Sequence, residues 1–377
     1  MAYPIIVQDF LDMIVAPSHS RNERALADLF MSKIKDLDLP MEMEEDQAAS
    51  AIGGDTGNII VRLIGPKKGV EPIMFSAHLD RVSNPGTIKP AVLENEDRIV
   101  SDGTTILGAD DATGLAAILD GLRRIKAEGH PYGDIELVIT VAEEVGLVGS
   151  NFLDYSKLKS KIGYVLDCSG PVGTIVNRAP TQKTVVITIN GRSSHAGMAP
   201  EEGINAIMVA AKAIAAMPEG RLSPITTSNF GVIQGGKATN IVCDLVKIEA
   251  EARSHDQGEL DAYVDKVEET FKKVAADFGA TVSFTWVNEY SSFHIKETDY
   301  VISLANQAFE KLGIAQNVQT GGGGMDANRF NVNGIKSVGL STGYKNVHTQ
   351  TEEQPISQLI LLGQVVSEIV KTAANRP

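Results

Sequence analysis

The first half of the chain alternates short apolar runs with longer segments of helical periodicity. The apolar runs predict strands at Asn58–Ile64, Ile73–His78, Ile135–Val141 and Gly163–Asp167, and Gly114–Ile125 has the pattern of a helix. Strands that alternate with helices are typical of a parallel or mixed sheet flanked by helices. Polar residues follow several of these strands, at the ends where open α/β sheets usually bind ligands.

The pattern changes near residue 182, where a strand–helix–strand–strand–helix–strand order begins. Its predicted segments are strands at Lys183–Asn190, Asn229–Ile233, Leu245–Ala252 and Val282–Trp286, and helices at Ile204–Met217 and around residues 260–278. The second helix is amphipathic, with apolar residues three and four apart: Leu260, Tyr263, Val264, Val267, Phe271, Val274 and Phe278. This order predicts a compact α+β insertion of about 110 residues.

The predicted domains are therefore 1–181 and 289–377 for the two parts of an α/β catalytic domain, and 182–288 for the insertion. The last predicted helix is Ile356–Ala373. A length of 377 residues is too great for one compact core but suits two domains. Apolar residues make up 43% and charged residues 22%, which is the balance of a soluble globular protein.

Acidic residues outnumber basic ones 48 to 34, which gives a formal net charge of -14. Such a surface repels phosphate backbones and anionic lipid, so nucleic acid and membranes are not expected as partners. The two cysteines, Cys168 and Cys243, provide no disulfide framework. Met1–Asp9 has no signal-peptide pattern, and no apolar stretch is long enough to span a bilayer. We therefore expect a cytoplasmic protein.

The chemistry-bearing residues begin with His78 and Asp80. Side chains two apart on a strand face the same side, so both can reach one site. A metal-bound imidazole needs an acceptor on its second ring nitrogen, and Asp80 is placed to provide one. Taken alone, the pair is explained equally well as polar residues at a strand end.

Two pairs of neighbouring carboxylates follow. Asp110 and Asp111 precede an apolar helix, where acidic residues commonly cap the helix N-terminus, but glycines on both sides also allow tight turns near the carboxylates. Glu143 and Glu144 follow a strand and face opposite ways, so one can bind a metal while the other acts as general base. The alternative for Glu143 and Glu144 is a solvated glutamate pair at a strand end.

Asp167 ends a strand and His348 lies in a polar loop with Glu352, and each alone reads as a turn or surface residue. Together, the acids and histidines at successive strand ends favour a metal such as zinc. Cys168 has no evident basic neighbour and is expected to be buried and structural. The glycines of Thr320–Gly324 lack a phosphate-loop ending, so they predict backbone beside a substrate or a tight turn.

Taken in order along the chain, these motifs resemble those of a known enzyme family. The set S-A-H-L-D, G-A-D-D, A-E-E-V-G, L-D, G-R-S-S-H-A-G, G-G-K-A-T-N, E-A-R-S-H-D, G-G-G-M-D-A-N and N-V-H-T-x-x-E resembles the co-catalytic di-zinc metallopeptidases. That family includes peptidase T, the glutamate carboxypeptidases, aminoacylases and succinyl-diaminopimelate desuccinylase. Through G-A-D-D and N-V-H-T the chain looks nearest to the peptidase T branch, although Ala112-Thr113 stand where a lysine is frequent.

The resemblance implies a zinc-peptidase-like mixed-sheet domain with an inserted ferredoxin-like α+β domain that serves as lid or dimerisation domain. It implies two divalent metal ions per chain, zinc in the first place, with cobalt or manganese as alternatives. Asp110 would bridge both ions and join Asp111 through a cis peptide bond. The remaining ligands would be His78 and Asp167 for one ion and Glu144 and His348 for the other.

The resemblance also implies roles outside the ligand set. Glu143 matches the general base and Asp80 the residue that orients a ligand. His195, in the insertion, matches a histidine that reaches a substrate site, often across a dimer, and stabilises the oxyanion. Asn240 and Arg253 match residues that grip the substrate carboxylate.

The implied activity is hydrolysis of short peptides, as in an aminopeptidase or tripeptidase. One alternative is an N-acyl-amino-acid deacylase that uses the same site. An alternative of another class is a metal- or peptide-binding protein without catalysis. The resemblance makes a homodimer through the insertion possible.

Overall fold

The computed structural model describes residues 3–83 and 86–375. The chain divides into two compact units, one formed by Met1–Ala179 with Phe293–Pro377 and the other by Pro180–Ser292. The first unit contains a large mixed sheet with helices, and the second is a smaller α+β unit. The predicted fold class is confirmed.

Before the insertion, the helices are α1 (Ile5–Val15), α2 (Arg24–Lys35), α3 (Ala48–Ile52), α4 (Ala109–Glu128) and α5 (Val148–Asn151). The strands are β1 (Met41–Glu45), β2 (Ile59–Leu63), β3 (Ile73–His78), β4 (Ala91–Leu93), β5 (Arg98–Val100), β6 (Ile135–Thr140), β7 (Ile162–Cys168) and β8 (Thr174–Ala179). The four strands predicted here are β2, β3, β6 and β7, each correct to within one residue at either end.

The second unit contains strands β9 (Thr181–Asn190), β10 (Gly220–Ser223), β11 (Thr226–Gly235), β12 (Leu245–Ser254) and β13 (Thr281–Tyr290), and helices α6 (Ala206–Ala215) and α7 (Gln257–Phe278). The first unit then resumes with strands β14 (Phe293–His294), β15 (Asn317–Thr320), β16 (Lys336–Ser341) and β17 (Glu353–Pro355), and helices α8 (Tyr300–Lys311), α9 (Asp326–Val332) and α10 (Ile356–Ala374).

In the first unit the main sheet has the strand order β1-β2-β6-β3-β7-β16-β8-β14, with β15 paired to β8. Strands β6, β3, β7 and β16 are neighbours that run parallel to one another. Their carboxyl ends therefore lie at one edge of the sheet, where parallel α/β sheets usually carry their ligand sites.

Helix α4 lies at the centre of the first unit's core, since it packs on β3 and β7 and is itself covered by α1 and α10. Gly121 allows α4 and α10 to approach closely, because a Cβ atom there would lie 2.5 Å from Val366. Helix α10 is long and apolar enough to cross a membrane. However, Leu359, Leu362 and Val366 are fully buried, so this helix is part of the core.

In the second unit the described strands form an antiparallel sheet of order β10-β11-β12-β9-β13. Val185, Ile187 and Ile189 alternate along β9 and are buried in the same core as the apolar residues of α6 and α7. Helix α7 begins where Asp256 accepts a hydrogen bond from the Glu259 N–H, and it ends at Gly279 with φ +71°. The predicted amphipathic helix is therefore confirmed.

Candidate metal centre

The structure brings the five predicted metal ligands together within the first unit. His78, Asp110 and Asp167 form one set of possible donors, and Asp110, Glu144 and His348 form a second. Within each set the donor atoms lie within 4.8 Å of one another. The two sets share Asp110, as the resemblance implies.

The parallel strands explain how these residues meet. His78 is the last residue of β3, which lies between β6 and β7 in the sheet. Glu144 lies in the turn after β6, and Asp167 is near the end of β7. Asp110 stands at the start of α4, and its peptide bond to Asp111 is cis, as expected.

In the first donor set His78 is the central group. Its Nε2 lies 2.9 Å from Oδ1 of Asp110 and 3.6 Å from Oδ1 of Asp167. Its Nδ1 lies 2.9 Å from the main-chain carbonyl oxygen of Asp80, whereas the Asp80 carboxylate is 3.6 Å away. An Nδ1–H donated to that carbonyl leaves the Nε2 lone pair facing the two aspartates, which suits a metal ligand.

The second donor set is organised around His348. Its Nε2 lies 3.0 Å from Oε1 of Glu144 and 3.3 Å from Oδ2 of Asp110. Asp110 therefore turns Oδ1 towards His78 and Oδ2 towards His348. This arrangement is the one required of a carboxylate that bridges two cations.

The electrostatics of the centre favour cations. Burial raises the pKa of Asp167 to about 7, and the neighbouring charge of Asp110 adds to this effect. Burial likewise raises the pKa of Glu143, again with a contribution from Asp167. Burial opposes protonation of His78, but the surrounding carboxylates outweigh it and raise the pKa of the imidazole. The clustered carboxylates repel one another, so divalent metal ions fit this donor set.

Asp80 supports the turn that carries Glu143 and Glu144. Its Oδ1 accepts a hydrogen bond from the Glu143 N–H at 2.8 Å, and its Oδ2 accepts one from the Glu144 N–H at 3.2 Å. The hydroxyl of Ser20 donates to the same Oδ2 at 2.6 Å. The main-chain carbonyl of Asp80 thus orients His78, while its carboxylate fixes the glutamate pair.

Glu23 holds the preceding part of that turn. Its Oε1 accepts hydrogen bonds from the N–H groups of Ala142 and Arg21, at 3.0 and 2.8 Å. Ala142 has φ +50°, a conformation that needs support from its surroundings. Sequence reasoning missed Ser20 and Glu23, because a short polar segment between two helices carries no sign of the turn that it contacts.

A cleft of about 440 Å³ opens beside the ligands. Glu143 lines it and is 9% exposed, and Gly321–Gly324 form part of its wall. Buried Tyr344 also lines the cleft, and its hydroxyl donates to Oδ1 of Asp167 at 3.1 Å. Sequence reasoning missed Tyr344, which no motif distinguishes from other aromatic residues. Cys168 is buried at the same cleft, with its Sγ 3.8 Å from the sulfur of Met325.

In the second unit the structure brings His195 and Asn240 together, since the N–H of Ala196 donates to the Asn240 carbonyl at 3.0 Å. Nδ1 of His195 accepts from the N–H groups of Gly197 and Met198, each at 3.1 Å. The neutral ring therefore carries its proton on Nε2 and presents it as a donor.

Arg253 lies elsewhere in the second unit. On β12 it is paired with Gln182, whereas Leu245, at the other end of β12, is paired with Asn190. Eight residues of strand separate the two ends, or about 26 Å, and His195 and Asn240 lie beyond the Asn190 end. One chain therefore does not place Asn240 and Arg253 on the same carboxylate. Arg253 instead donates two hydrogen bonds to Glu251, at 2.9 and 3.0 Å.

Comparison with known families gives two matches along the chain. The model of the peptidase dimerisation domain matches residues 181–278, and that of peptidase family M28 matches residues 58–213. The first match covers most of the second unit. The second covers β3 and β7, which carry His78 and Asp167, and the turn after β6 that carries Glu144.

Individual relatives match over nearly the whole chain. The chain is 40% identical to the uncharacterized protein YqjE of Bacillus subtilis, over 98% of both sequences. It is similar to the crystal structure of aminopeptidase PepT from Bacillus cereus, with 40% identity and a TM-score of 0.88, over 98% of each chain. A tripeptidase structure from Staphylococcus aureus has 38% identity and a TM-score of 0.93 over the same shares. The chain therefore belongs to the peptidase T-like members of the M20 metallopeptidase family.

Proposed function

We propose that this chain is a di-metal aminopeptidase that removes the N-terminal residue from short peptides, with tripeptides as preferred substrates. The observation that carries the proposal is the pair of donor sets that share Asp110, next to Glu143 in one cleft. The names of the two similar structures, an aminopeptidase and a tripeptidase, support the choice of substrate.

Zinc is the proposed native metal, because imidazole nitrogens and carboxylate oxygens together suit it, with cobalt and manganese as alternatives. His78 and Asp167 would hold one ion, Glu144 and His348 the other, and Asp110 both. When bound, the ions would make a water molecule acidic enough to attack at neutral pH and would polarise the scissile carbonyl.

Glu143 is the proposed general base. It accepts a proton from the attacking water and delivers it to the leaving amine as the C–N bond breaks. Asp80 assists by holding both the Glu143 main chain and the His78 ring in place. A carboxylate that is only 9% exposed, on a main chain that Asp80 holds in place, suits proton transfer between two positions on the substrate.

A homodimer is proposed for the complete substrate site. Asn240 and Arg253 stand at opposite ends of one sheet, which supports a site that takes His195 and Asn240 from one copy and Arg253 from the other. The Nε2–H of His195 would stabilise the oxyanion, and Arg253 would pair with the substrate carboxylate. We also propose a cytoplasmic location, which two buried free thiols in the described part of the chain support.

The test is a substrate panel on protein loaded with zinc, cobalt or manganese, with the metal counted per chain. We expect free-amine tripeptides to be cleaved fastest, and N-acetylated tripeptides and N-acyl amino acids to react poorly. Faster release from N-acyl amino acids would instead identify a deacylase. Two bound ions without hydrolysis of any amide in the panel would identify a binding protein.

A further inference from the structure

Glu352 is a buried carboxylate outside the proposed ligand set. It lies four residues after His348 and is 1% exposed. Its main-chain N–H donates to the carbonyl of Thr349, so it belongs to the same folded loop as His348.

The side chain of Glu352 reaches the segment that leads into α4. Its Oε2 accepts hydrogen bonds from the N–H groups of Leu107 and Gly108, both at 2.8 Å. Its Oε1 accepts from the N–H groups of Ala109 and Asp110, at 3.0 and 3.3 Å. One carboxylate thus satisfies four consecutive buried N–H groups, the last of which belongs to the shared aspartate.

A second buried side chain from the same segment reinforces this contact. Oε1 of Gln354 accepts a hydrogen bond from the hydroxyl of Thr113, in the first part of α4, at 2.9 Å. Residues two apart on an extended chain point the same way, so Glu352 and Gln354 both face α4. The segment that follows His348 is therefore fastened to the segment that carries Asp110.

We propose that Glu352 is a positioning residue that fixes Asp110 and His348 relative to each other and so builds the second metal site before an ion binds. The first site depends less on it, because His78 and Asp167 are held by the neighbouring strands β3 and β7. Without Glu352, four buried N–H groups lose their acceptor and the His348 loop is released from α4. This inference rests on the proposed metal centre, and it adds that the second metal site depends on Glu352 more strongly than the first.

The decisive variant is Glu352→Gln. Its side-chain amide keeps the size of the carboxylate but has one acceptor oxygen instead of two, and its NH₂ group faces two N–H donors. We expect zinc titration by calorimetry to show the second ion bound about 10- to 100-fold more weakly, with the first within about threefold of wild type. Equal weakening of both ions, or two unchanged affinities, would overturn the proposal.

The matched control is Glu353→Gln, which changes the next carboxylate along the chain. The side chain of Glu353 is 17% exposed and pairs with Lys345 and Arg98, not with the segment before α4. It should bind both ions like wild type. His348→Ala provides the reference for loss of the second ion. If wild type itself binds no metal, the proposed metal centre fails; if wild type and Glu352→Gln both bind two ions equally well, this inference alone fails.

Hydrogen exchange on the metal-free wild type tests the same contact without any substitution. The amides of residues 107–110 should be strongly protected, because the proposal has Glu352 accept hydrogen bonds from all four before an ion binds. Exchange of these amides at the rate of an open loop would contradict a site that is built before metal binding. This experiment uses wild type only, so it decides the proposal also where Glu352→Gln does not fold.

Discussion

The two units of this protein differ in how they place the side chains of the candidate site: the first unit brings them together, and the second keeps them apart. In the first unit, residues from His78 to His348 converge on one cluster of possible metal donors, although most of that unit's sequence lies between them. In the second unit, His195 and Arg253 are much closer in sequence yet lie towards opposite ends of one sheet. Parallel strands gather their carboxyl ends at one edge, whereas long antiparallel strands keep their two ends far apart.

This difference shows which part of the chemistry one chain can hold by itself. The first unit contains both donor sets and Glu143, so the proposed metal binding and proton transfer need no second copy. The second unit contains substrate-binding candidates that one chain does not bring together. Four changes test this division, and the first has the largest expected effect.

Replacement of Glu143 tests whether the first unit holds the complete proton-transfer machinery. Glu143→Gln removes the proposed general base but leaves the proposed ligands His78, Asp110 and Glu144 in place. We expect kcat on a tripeptide to fall by about 10²- to 10⁴-fold, with two metal ions still bound. Glu96→Gln, an exposed carboxylate of the same unit, is the control and should keep full activity. Turnover within a few-fold of wild type would remove Glu143 from the mechanism.

Mixing two inactive variants tests the second unit. His195→Ala and Arg253→Ala should each lower kcat/KM by about 100-fold or more, because each loses a contact to charge on the substrate. If each site takes His195 from one copy and Arg253 from the other, half of the sites in a mixed dimer are intact. After random reassociation of equal amounts, activity should recover to about a quarter of wild type. A mixture that stays as inactive as its components would place both residues in one chain's site.

The sequence predicted those strands and helices whose position depends on a local pattern of apolar residues. Apolar runs located β2, β3, β6 and β7 to within one residue, and polar residues near their ends are among the proposed ligands that the structure brings together. The spacing of apolar residues likewise located the long helix α7. These features depend on the periodicity of a single segment, and periodicity is visible without a structure.

The contacts that complete the site were not visible in the same way. Tyr344 reaches Asp167, Glu23 reaches Ala142, and Glu352 reaches the segment before Asp110, each across a large sequence separation. Such contacts arise from the tertiary approach of loops, so no local spacing marks them. Sequence resemblance assigned Asn240 and Arg253 a common target, but only the strand pairing showed how far apart they lie.

A core substitution in the second unit tests whether its folding is separate from that of the metal centre. Phe271 is 1% exposed and packs against Phe230 and Phe284, with ring centroids 6.0 and 6.4 Å apart. Phe271→Ala should destabilise that unit by about 3–5 kcal/mol. Calorimetry should show one transition moved to lower temperature, while two metal ions remain bound. The exposed neighbour Lys272→Ala should change little, and loss of the metals together with that transition would show that the units fold as one.

The smallest effect concerns Glu23, which supports the turn before Glu143 in the first unit. Burial raises the pKa of Glu23 from 4.5 to about 7, with a contribution from the charge of Asp80. Between those values the folded protein keeps a proton that the unfolded chain has released, so this group's contribution to stability falls as the pH rises from about 4.5 to 7. Glu23→Gln removes the ionisation but retains a carbonyl acceptor for the Ala142 N–H.

The free energy of unfolding of Glu23→Gln, relative to wild type, should therefore increase between pH 5 and pH 8, by about 2 kcal/mol. Denaturant titration of both proteins at the two pH values measures this difference. Glu45→Gln is the control of opposite sign, because hydrogen bonds from Arg24 and the Gly57 N–H outweigh burial and lower the pKa of Glu45. Its substitution should destabilise the protein at both pH values. An identical difference in the free energy of unfolding at pH 5 and pH 8 would show that Glu23 is ionised throughout. The main chain before Glu143 would then be held by an ionised carboxylate.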